Sequence, residues 1–152
     1  MVLSPNMKND SKGQEAEKIL QRSLSNEMIS PEQLHTIITH APRDLVLLDI
    51  RCQVEYREGI IPGALLFPND HNLENREDTS IFRQCFECLF KPEKFDSAMR
   101  YILICRSGPR TEIALEAFLE HGFSACELVG GMLEWTRQGF PVTSADNATI
   151  VL

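Results

Sequence analysis

Two continuous apolar runs, residues 45–50 and 101–104, constrain the fold of this chain more than any other feature. Apart from Asp49 they do not alternate apolar with polar residues, so each is typical of a strand buried on both faces of a parallel sheet. Shorter strands are predicted at residues 64–67 and 125–129. Helical patterns lie between these strands, and this alternation predicts an α/β domain with a parallel sheet.

The helices expected between the strands have recognisable ends. Ser30, Pro31 and Gln33 provide an N-cap, a proline at the first helical position and a capping box, so a helix begins there and ends before Pro42. Another ends before Gly122, where glycine suits a helix stop. The other helices are predicted over residues 14–28, 54–58, 81–90, 110–121 and 132–138.

The chain is expected to divide into a main domain and two short flanking parts. Residues 1 to about 13 are polar without periodicity, which predicts disorder. Residues 1–27 are therefore interpreted as a polar tail plus an amphipathic helix that packs on the domain edge, a role favoured over self-association. The main domain is assigned to residues 28–145, and residues 146–152 are a short C-terminal tail.

Charge and composition exclude several classes of protein. The net charge of -7 and the pI near 5.1 argue against binding of nucleic acid or an anionic membrane surface. No apolar run approaches the length of about 20 residues that a membrane helix needs, and residues 1–12 contain no secretory apolar segment. Five cysteines at irregular spacing fit free thiols in a reducing compartment. The cytoplasm is the expected location.

Cys105 is the candidate nucleophile because of its position between a strand and a helix. It begins the loop C-R-S-G-P-R, where backbone N–H groups and the helix dipole favour negative charge. Arg106 and Arg110 add cationic groups, and Gly108 permits an unusual turn. Such surroundings lower a thiol pKa, so a reactive thiolate is favoured over a buried structural cysteine.

The length of this loop separates two chemistries. Cysteine phosphatases carry C-x5-R, whereas here the arginine comes one position earlier, at Arg110, and Thr111 stands at the phosphatase position. A shorter loop fits one extra sulfur atom on Cys105 better than a tetrahedral phosphate. Phosphatase or arsenate reductase activity is therefore disfavoured.

Together with fragments on either side of this loop, residues 29–142 resemble the rhodanese family of sulfurtransferases, in its single-domain form. The resemblance is carried by five fragments in order: L-L-D-I-R from Leu47, E-Y-R-E-G from Glu55, I-P-G-A from Ile61, C-R-S-G-P-R-T from Cys105 and G-G-M-L-E-W from Gly130. Each fragment is weak alone, and together they are strong. The resemblance implies a rhodanese-like α/β fold with a central parallel sheet of about five strands flanked by helices.

The resemblance also implies a mechanism. Cys105 would take a sulfane sulfur from a small anionic donor such as thiosulfate and pass the persulfide sulfur to an acceptor, with cyanide the usual assay substrate. The loop residues expected to bind the donor are Arg106, Ser107, Gly108, Pro109 and Arg110. Supporting roles are assigned to Asp49, Arg51 and Thr111, although a surface ion pair is an equal alternative for Asp49 and Arg51. Arg106 is equally consistent with donor steering or with solvent-exposed loop charge.

Several points stay open at this level. The partners expected are the sulfur donor and a thiol or protein acceptor, with the identities of both and the oligomeric state undetermined. Ile60 replaces a common family histidine, and Glu55 replaces a donor-binding basic residue of two-domain members. A protein-binding or regulatory module without turnover is the alternative function, with residues 14–28 as its partner segment.

The remaining cysteines and histidines predict no metal or cofactor site. Cys85 and Cys88 lie within one predicted helix and are expected to pack in the core, since zinc would need further ligands nearby. Cys52 and Cys126 are candidates for a sulfur relay only if they lie near Cys105. The histidines have no ligand spacing.

Overall fold

The computed structural model describes residues 6–70 and 78–152, which form a five-stranded parallel sheet with helices on both faces. The strands are β1 (Met28–Ile29), β2 (Leu45–Asp49), β3 (Leu65–Leu66), β4 (Arg100–Ile104) and β5 (Ser124–Leu128). Their order in the sheet is β1-β5-β4-β2-β3, and every neighbouring pair is parallel. The predicted α/β fold with a parallel sheet is therefore confirmed.

The described residues contain five α-helices and two short 3₁₀ helices. The α-helices are α1 (Asn6–Asn26), α2 (Pro31–Ile38), α3 (Thr79–Leu89), α4 (Pro109–Glu120) and α5 (Gly131–Arg137). The 3₁₀ helices are Gln53–Glu58 and Pro92–Lys94. The capping box predicted for α2 is present, because Ser30 Oγ accepts from the Gln33 N–H while Gln33 Oε1 accepts from the Ser30 N–H.

Two apolar layers cover the sheet. One lies under α1, α2 and α5 and contains Trp135, which is fully buried and donates its indole N–H to the Pro141 carbonyl at 2.8 Å. The other lies under α3 and α4 and is rich in stacked and edge-on phenylalanine rings, centred on Phe90, Phe95 and Phe118. Because both faces are covered, β2 and β4 are apolar on both sides, as their sequences predicted.

The first helix is longer than predicted. Disorder was expected up to about residue 13, but α1 already begins at Asn6, so that expectation is wrong for residues 6–13, while residues 1–5 lie outside the described part. Ala16 and Leu20 are buried against α2 and the β1–β5 edge. Once one turn of a helix is held by packing, each further residue adds one hydrogen bond, so the polar residues toward Asn6 can continue the same helix. The predicted packing on the domain edge is confirmed.

Two edge elements were not predicted. Met28 was predicted to end the helix over residues 14–28 and Ile29 was assigned to no element, but the two pair with Glu127 and Leu128 as strand β1. At the opposite edge, the Leu66 N–H donates to the Thr149 carbonyl and the Val151 N–H donates to the Leu66 carbonyl, so the C-terminal residues lie beside β3.

Candidate active site around Cys105

Cys105 follows β4 directly, at the carboxyl edge of the sheet. Strands β2 and β5 flank β4, so the cysteine lies near the middle of that edge, where parallel α/β sheets place their ligands. Gly108 has a φ of 131°, a backbone conformation that glycine adopts readily and other residues rarely adopt. The chain turns at Gly108 into α4, with Pro109 at the first helical position. The predicted strand, loop and helix arrangement is present.

The sulfur of Cys105 lies inside this loop and is fully buried. The Gly108 N–H donates to Sγ at 3.1 Å, and the thiol donates to Thr111 Oγ1 at 3.6 Å. The Thr111 hydroxyl in turn donates to the Gly108 carbonyl at 2.7 Å. Pro109 has no N–H, so it supplies geometry to the loop and no hydrogen bond to an anion. The loop thus places the Gly108 N–H and the Thr111 hydroxyl at the sulfur.

The Arg110 side chain points away from solvent and binds Glu55. Its two terminal nitrogens donate to the two carboxylate oxygens of Glu55 at 2.7 and 2.9 Å, and both side chains are buried. Burial alone would raise the pKa of Glu55, but hydrogen bonds from Arg110 and from the Cys52 N–H hold it at about 2. Through these contacts Arg110 braces the end of the loop, and the donor-binding role expected for it stays a prediction.

Glu55 was missed as a site residue. Its position in the sequence suggested only a lost donor-binding charge, whereas the structure makes it the partner of Arg110 across 55 positions of the chain. The sequence offered only indirect signals for this pair: Glu55 lies beside Tyr56 in a predicted short helix, and Arg110 lies in the loop that begins at Cys105. Their separation in the sequence gives no indication that the two side chains are in contact.

Asp49 and Arg51 form a buried pair, so the surface alternative is excluded. Arg51 Nε and Nη2 donate to the Asp49 carboxylate at 2.9 and 2.8 Å, with both side chains almost fully buried. Arg51 also donates to the carbonyls of Glu55 at 3.3 Å and Gly59 at 2.9 Å. The Tyr56 hydroxyl donates to the Asp49 carbonyl at 2.8 Å. This network fixes the 3₁₀ helix that carries Glu55, and through Glu55 the end of the Cys105 loop.

The start of α5 supports the same loop from the other side. The N–H groups of Met132 and Leu133 donate to the carbonyls of Cys105 and Arg106 at 2.9 and 3.0 Å. A Cβ on Gly131 would lie only 2.5 Å from the Cys105 carbonyl oxygen and 2.6 Å from that of Arg106. Glycine is therefore required here so that the two backbones can approach.

Similarity to known proteins agrees with this geometry. The family model of the Rhodanese-like domain matches residues 30–138, which is more than half of the chain. The chain belongs to the rhodanese-like family.

Relatives of this rhodanese-like chain carry sulfurtransferase names. The Bacillus subtilis (strain 168) protein YtwF, provisionally named a sulfurtransferase, is 30% identical over 101 residues, covering 66% of this chain and 82% of that protein. A sulfurtransferase of Allochromatium vinosum is 29% identical over 104 residues, covering 68% and 82%. The structure of a rhodanese-related protein from Thermoplasma volcanium has a TM-score of 0.59 at 21% identity and covers 77% of this chain and 97% of that one, which supports the fold.

The other cysteines of this rhodanese-like chain have distinct environments. Cys52 is buried and its thiol donates to the Asn69 carbonyl at 3.3 Å. Cys126 is buried in β5, where burial raises the pKa of its thiol to about 12 and disfavours the thiolate. Cys85 is half-buried and Cys88 is exposed, so the predicted core packing is wrong for Cys88 and incomplete for Cys85. The core-facing residues of α3 are Phe82 and Phe86.

Metal-ligating clusters and membrane-crossing helices are both absent from the described part of the chain. Within residues 6–70 and 78–152, no group of three or more histidine, cysteine, aspartate or glutamate side chains is placed to hold a metal ion. None of the helices in those ranges has the length and apolar character that crossing a membrane requires.

Proposed function

We propose that this chain is a sulfurtransferase that carries a sulfane sulfur on Cys105 as a persulfide. The observation that supports this most directly is the Gly108 N–H aimed at Cys105 Sγ at 3.1 Å, in a loop whose arginine comes one position earlier than in the phosphatase pattern. Membership of the rhodanese-like family and sulfurtransferase-named relatives point to the same activity.

In the first half-reaction, the Cys105 thiolate attacks the outer sulfur of a donor such as thiosulfate. A sulfur–sulfur bond forms to Cys105, the sulfur–sulfur bond of thiosulfate breaks, and sulfite leaves with the electron pair. The persulfide carries one negative charge on its outer sulfur. The N-terminal end of α4 and the N–H groups of the loop stabilise that charge, as an anion nest does.

In the second half-reaction, a nucleophilic acceptor attacks the outer sulfur. With cyanide, a carbon–sulfur bond forms, the sulfur–sulfur bond breaks, and the pair returns to Cys105 as thiolate while thiocyanate leaves. A thiol or a protein thiol would accept the sulfur in the same way. Two half-reactions through one covalent intermediate give ping-pong kinetics.

Thr111 suits both forms of the cysteine. In the thiol form Cys105 donates to Thr111 Oγ1, and the Thr111 hydroxyl donates to the Gly108 carbonyl. Rotation of the hydroxyl in the thiolate form turns its proton from the carbonyl to the sulfur, because a hydroxyl can both donate and accept. The same side chain therefore follows the change of charge without movement of the loop.

Intact mass after brief thiosulfate treatment tests the proposal. We expect the protein to gain the mass of one sulfur, and the gain to disappear on treatment with cyanide as thiocyanate forms. The Cys105→Ser variant should gain nothing, whereas Cys88→Ser, which removes an exposed thiol, should behave as the wild type. A gain of sulfur that persists in Cys105→Ser, or thiocyanate formation at the wild-type rate in that variant, would overturn the assignment.

A further inference from the structure

Two thiols lie together outside the Cys105 site, on the outward flank of α3. Cys85 and Cys88 are one helical turn apart, and the core-facing side chains of this helix are Phe82 and Phe86. Cys88 is exposed, and the half-buried Cys85 donates its thiol to the Asp70 carbonyl at 3.3 Å. Packing in the core therefore does not account for this pair, and neither does the proposed persulfide chemistry.

Both thiols line an open cavity of about 540 Å³. The walls are formed in part by Phe67, Leu89 and Leu152, so an apolar group can lie against them. Lys94 lines the same cavity and places its ammonium 5.9 Å from the centre of the Phe67 ring. The pair is thus accessible to a small ligand with both a thiol-reactive centre and an apolar part.

The helical spacing decides which chemistry the pair can support. Residues three apart on a helix have Cβ atoms about 5–6 Å apart. A disulfide needs Cβ atoms roughly 3.5–4.5 Å apart, so the intact helix holds the two sulfurs too far apart for a direct bond. One atom bonded to both sulfurs spans the larger distance without distorting the helix.

The bridging atom must form a stable site with only two sulfur ligands from the protein. Structural zinc takes four protein ligands, and within the described residues no group of three or more histidine, cysteine, aspartate or glutamate side chains is placed to hold a metal ion. Trivalent arsenic with one organic substituent takes two sulfurs, and its third bond is to carbon. This coordination matches a dithiol beside an apolar wall.

We propose that Cys85 and Cys88 form a dithiol binding site for monosubstituted trivalent arsenicals, with the organic group against Phe67 and Leu89. Two arsenic–sulfur bonds form, two S–H bonds break, and the oxygen of the arsenic oxide leaves as water with both protons. No atom changes oxidation state. Burial and the nearby Asp70 carboxylate raise the pKa of Cys85, which keeps it in the protonated form that supplies one of these protons.

Phenylarsine oxide and the full-length chain provide the test. We expect one phenylarsenic adduct by intact mass, with two fewer titratable thiols, and reversal by 2,3-dimercaptopropanol but not by a monothiol in excess. Cys85→Ser and Cys88→Ser should each lose this adduct, because a single arsenic–thiol bond exchanges with monothiol. Cys105→Ser should retain it, so failure here is distinguishable from failure of the proposed sulfur transfer.

Two results would overturn the inference. One is an adduct that resists monothiol in both Cys85→Ser and Cys88→Ser, which would place the arsenic on other cysteines. The other is absence of a monothiol-resistant adduct in the wild type. Diamide oxidation checks the spacing argument separately: we expect no Cys85–Cys88 disulfide while the helical circular dichroism is intact, and its formation in a fully helical protein would contradict the argument.

Discussion

Glu55 and Arg110 are joined by two parallel hydrogen bonds of 2.7 and 2.9 Å inside the domain, and this pair links two otherwise separate parts of the candidate site. Arg110 is the last residue of the six-residue loop that begins at Cys105. Glu55 lies on the 3₁₀ helix that Arg51 holds by its hydrogen bond to the Glu55 carbonyl. The position of Cys105, the candidate nucleophile, therefore depends on a carboxylate 50 residues earlier in the sequence.

Glu55→Gln is expected to destabilise the fold by about 3 kcal/mol, because it leaves a buried guanidinium without a counter-charge. Chemical denaturation at neutral pH measures this change. The matched control is Glu116→Gln, which removes the exposed partner of Arg83 in a 3.9 Å surface pair and should change stability by at most a few tenths of a kcal/mol. Equal effects of the two substitutions would contradict the bracing role of Glu55.

The same pair predicts a dependence of stability on pH. The pKa of Glu55 is about 2 in the folded chain, below its ordinary value of 4.5. A carboxylate whose folded pKa is lowered stabilises the fold above its unfolded pKa, and that stabilisation disappears as the pH falls from about 4.5 toward 2. Urea unfolding of the wild type and Glu55→Gln across this range should show their stabilities converging at low pH. A difference that stays constant with pH would count against the ionised pair.

The sequence was sufficient for the main strands and for the strand, loop and helix arrangement around Cys105, and the reasons are local. The apolar runs that became β2 and β4 are long enough to identify as strands, and the residues after Cys105 contain helix-starting signals. The two-residue β1 has no such signal, since its pairing with β5 depends on where α1 ends. The polar residues in the first turns of α1 give no apolar pattern, so the sequence did not predict that the helix begins at Asn6.

Ion pairs between residues far apart in the sequence could not be predicted, for a different reason. Arg110 looked like a free loop cation because its carboxylate partner lies on another element, and only the fold brings the two together. The helical face of Cys85 was judged from residue spacing, but the packing of α3 rotates Phe82 and Phe86 inward and leaves Cys88 outside. Local patterns identify which residues are apolar, and the neighbouring elements determine which of them are buried.

Gly131→Ala is expected to impair both stability and sulfur transfer, because the new Cβ would lie 2.5 Å from the Cys105 carbonyl oxygen. Gly139→Ala is a matched control, since Gly139 also has a positive φ but a Cβ added there would meet no atom within 4 Å. The control should lose roughly 1–2 kcal/mol from backbone strain alone. Thermal unfolding and the rate of persulfide formation separate the two variants. Equal behaviour would show that the loop does not depend on this close approach.

Thr111→Val is expected to slow sulfur transfer by about tenfold, the equivalent of one lost hydrogen bond of roughly 1.4 kcal/mol. Valine keeps the shape of the buried side chain but cannot hydrogen-bond to Cys105 Sγ or to the Gly108 carbonyl. Thr111→Ser retains the hydroxyl and should retain most of the rate. Steady-state kinetics with thiosulfate and cyanide provide the measurement, and a valine variant as fast as the serine variant would exclude a role for the hydroxyl.

Glu127 predicts a change of stability with pH that is opposite in sign to that of Glu55. Burial, and then the carboxylate of Glu112, raise the pKa of this half-buried side chain to about 7 from 4.5. An acid whose folded pKa is raised leaves the fold fully stable below pH 4.5, and stability falls as the pH rises from about 4.5 through 7. Glu127→Gln should therefore be more stable than the wild type above pH 7 by about 1 kcal/mol, after a discount for partial exposure.

The comparison with Glu112→Gln separates the two causes of this shift. Burial is the larger cause, so removing the exposed Glu112 charge should give a smaller gain than removing the Glu127 charge itself. Urea unfolding of both variants and the wild type at pH 4.5 and pH 8 measures the differences. If Glu127→Gln gave the same change in stability at both pH values, its effect would come from altered packing, and the raised pKa of Glu127 would be rejected as its cause.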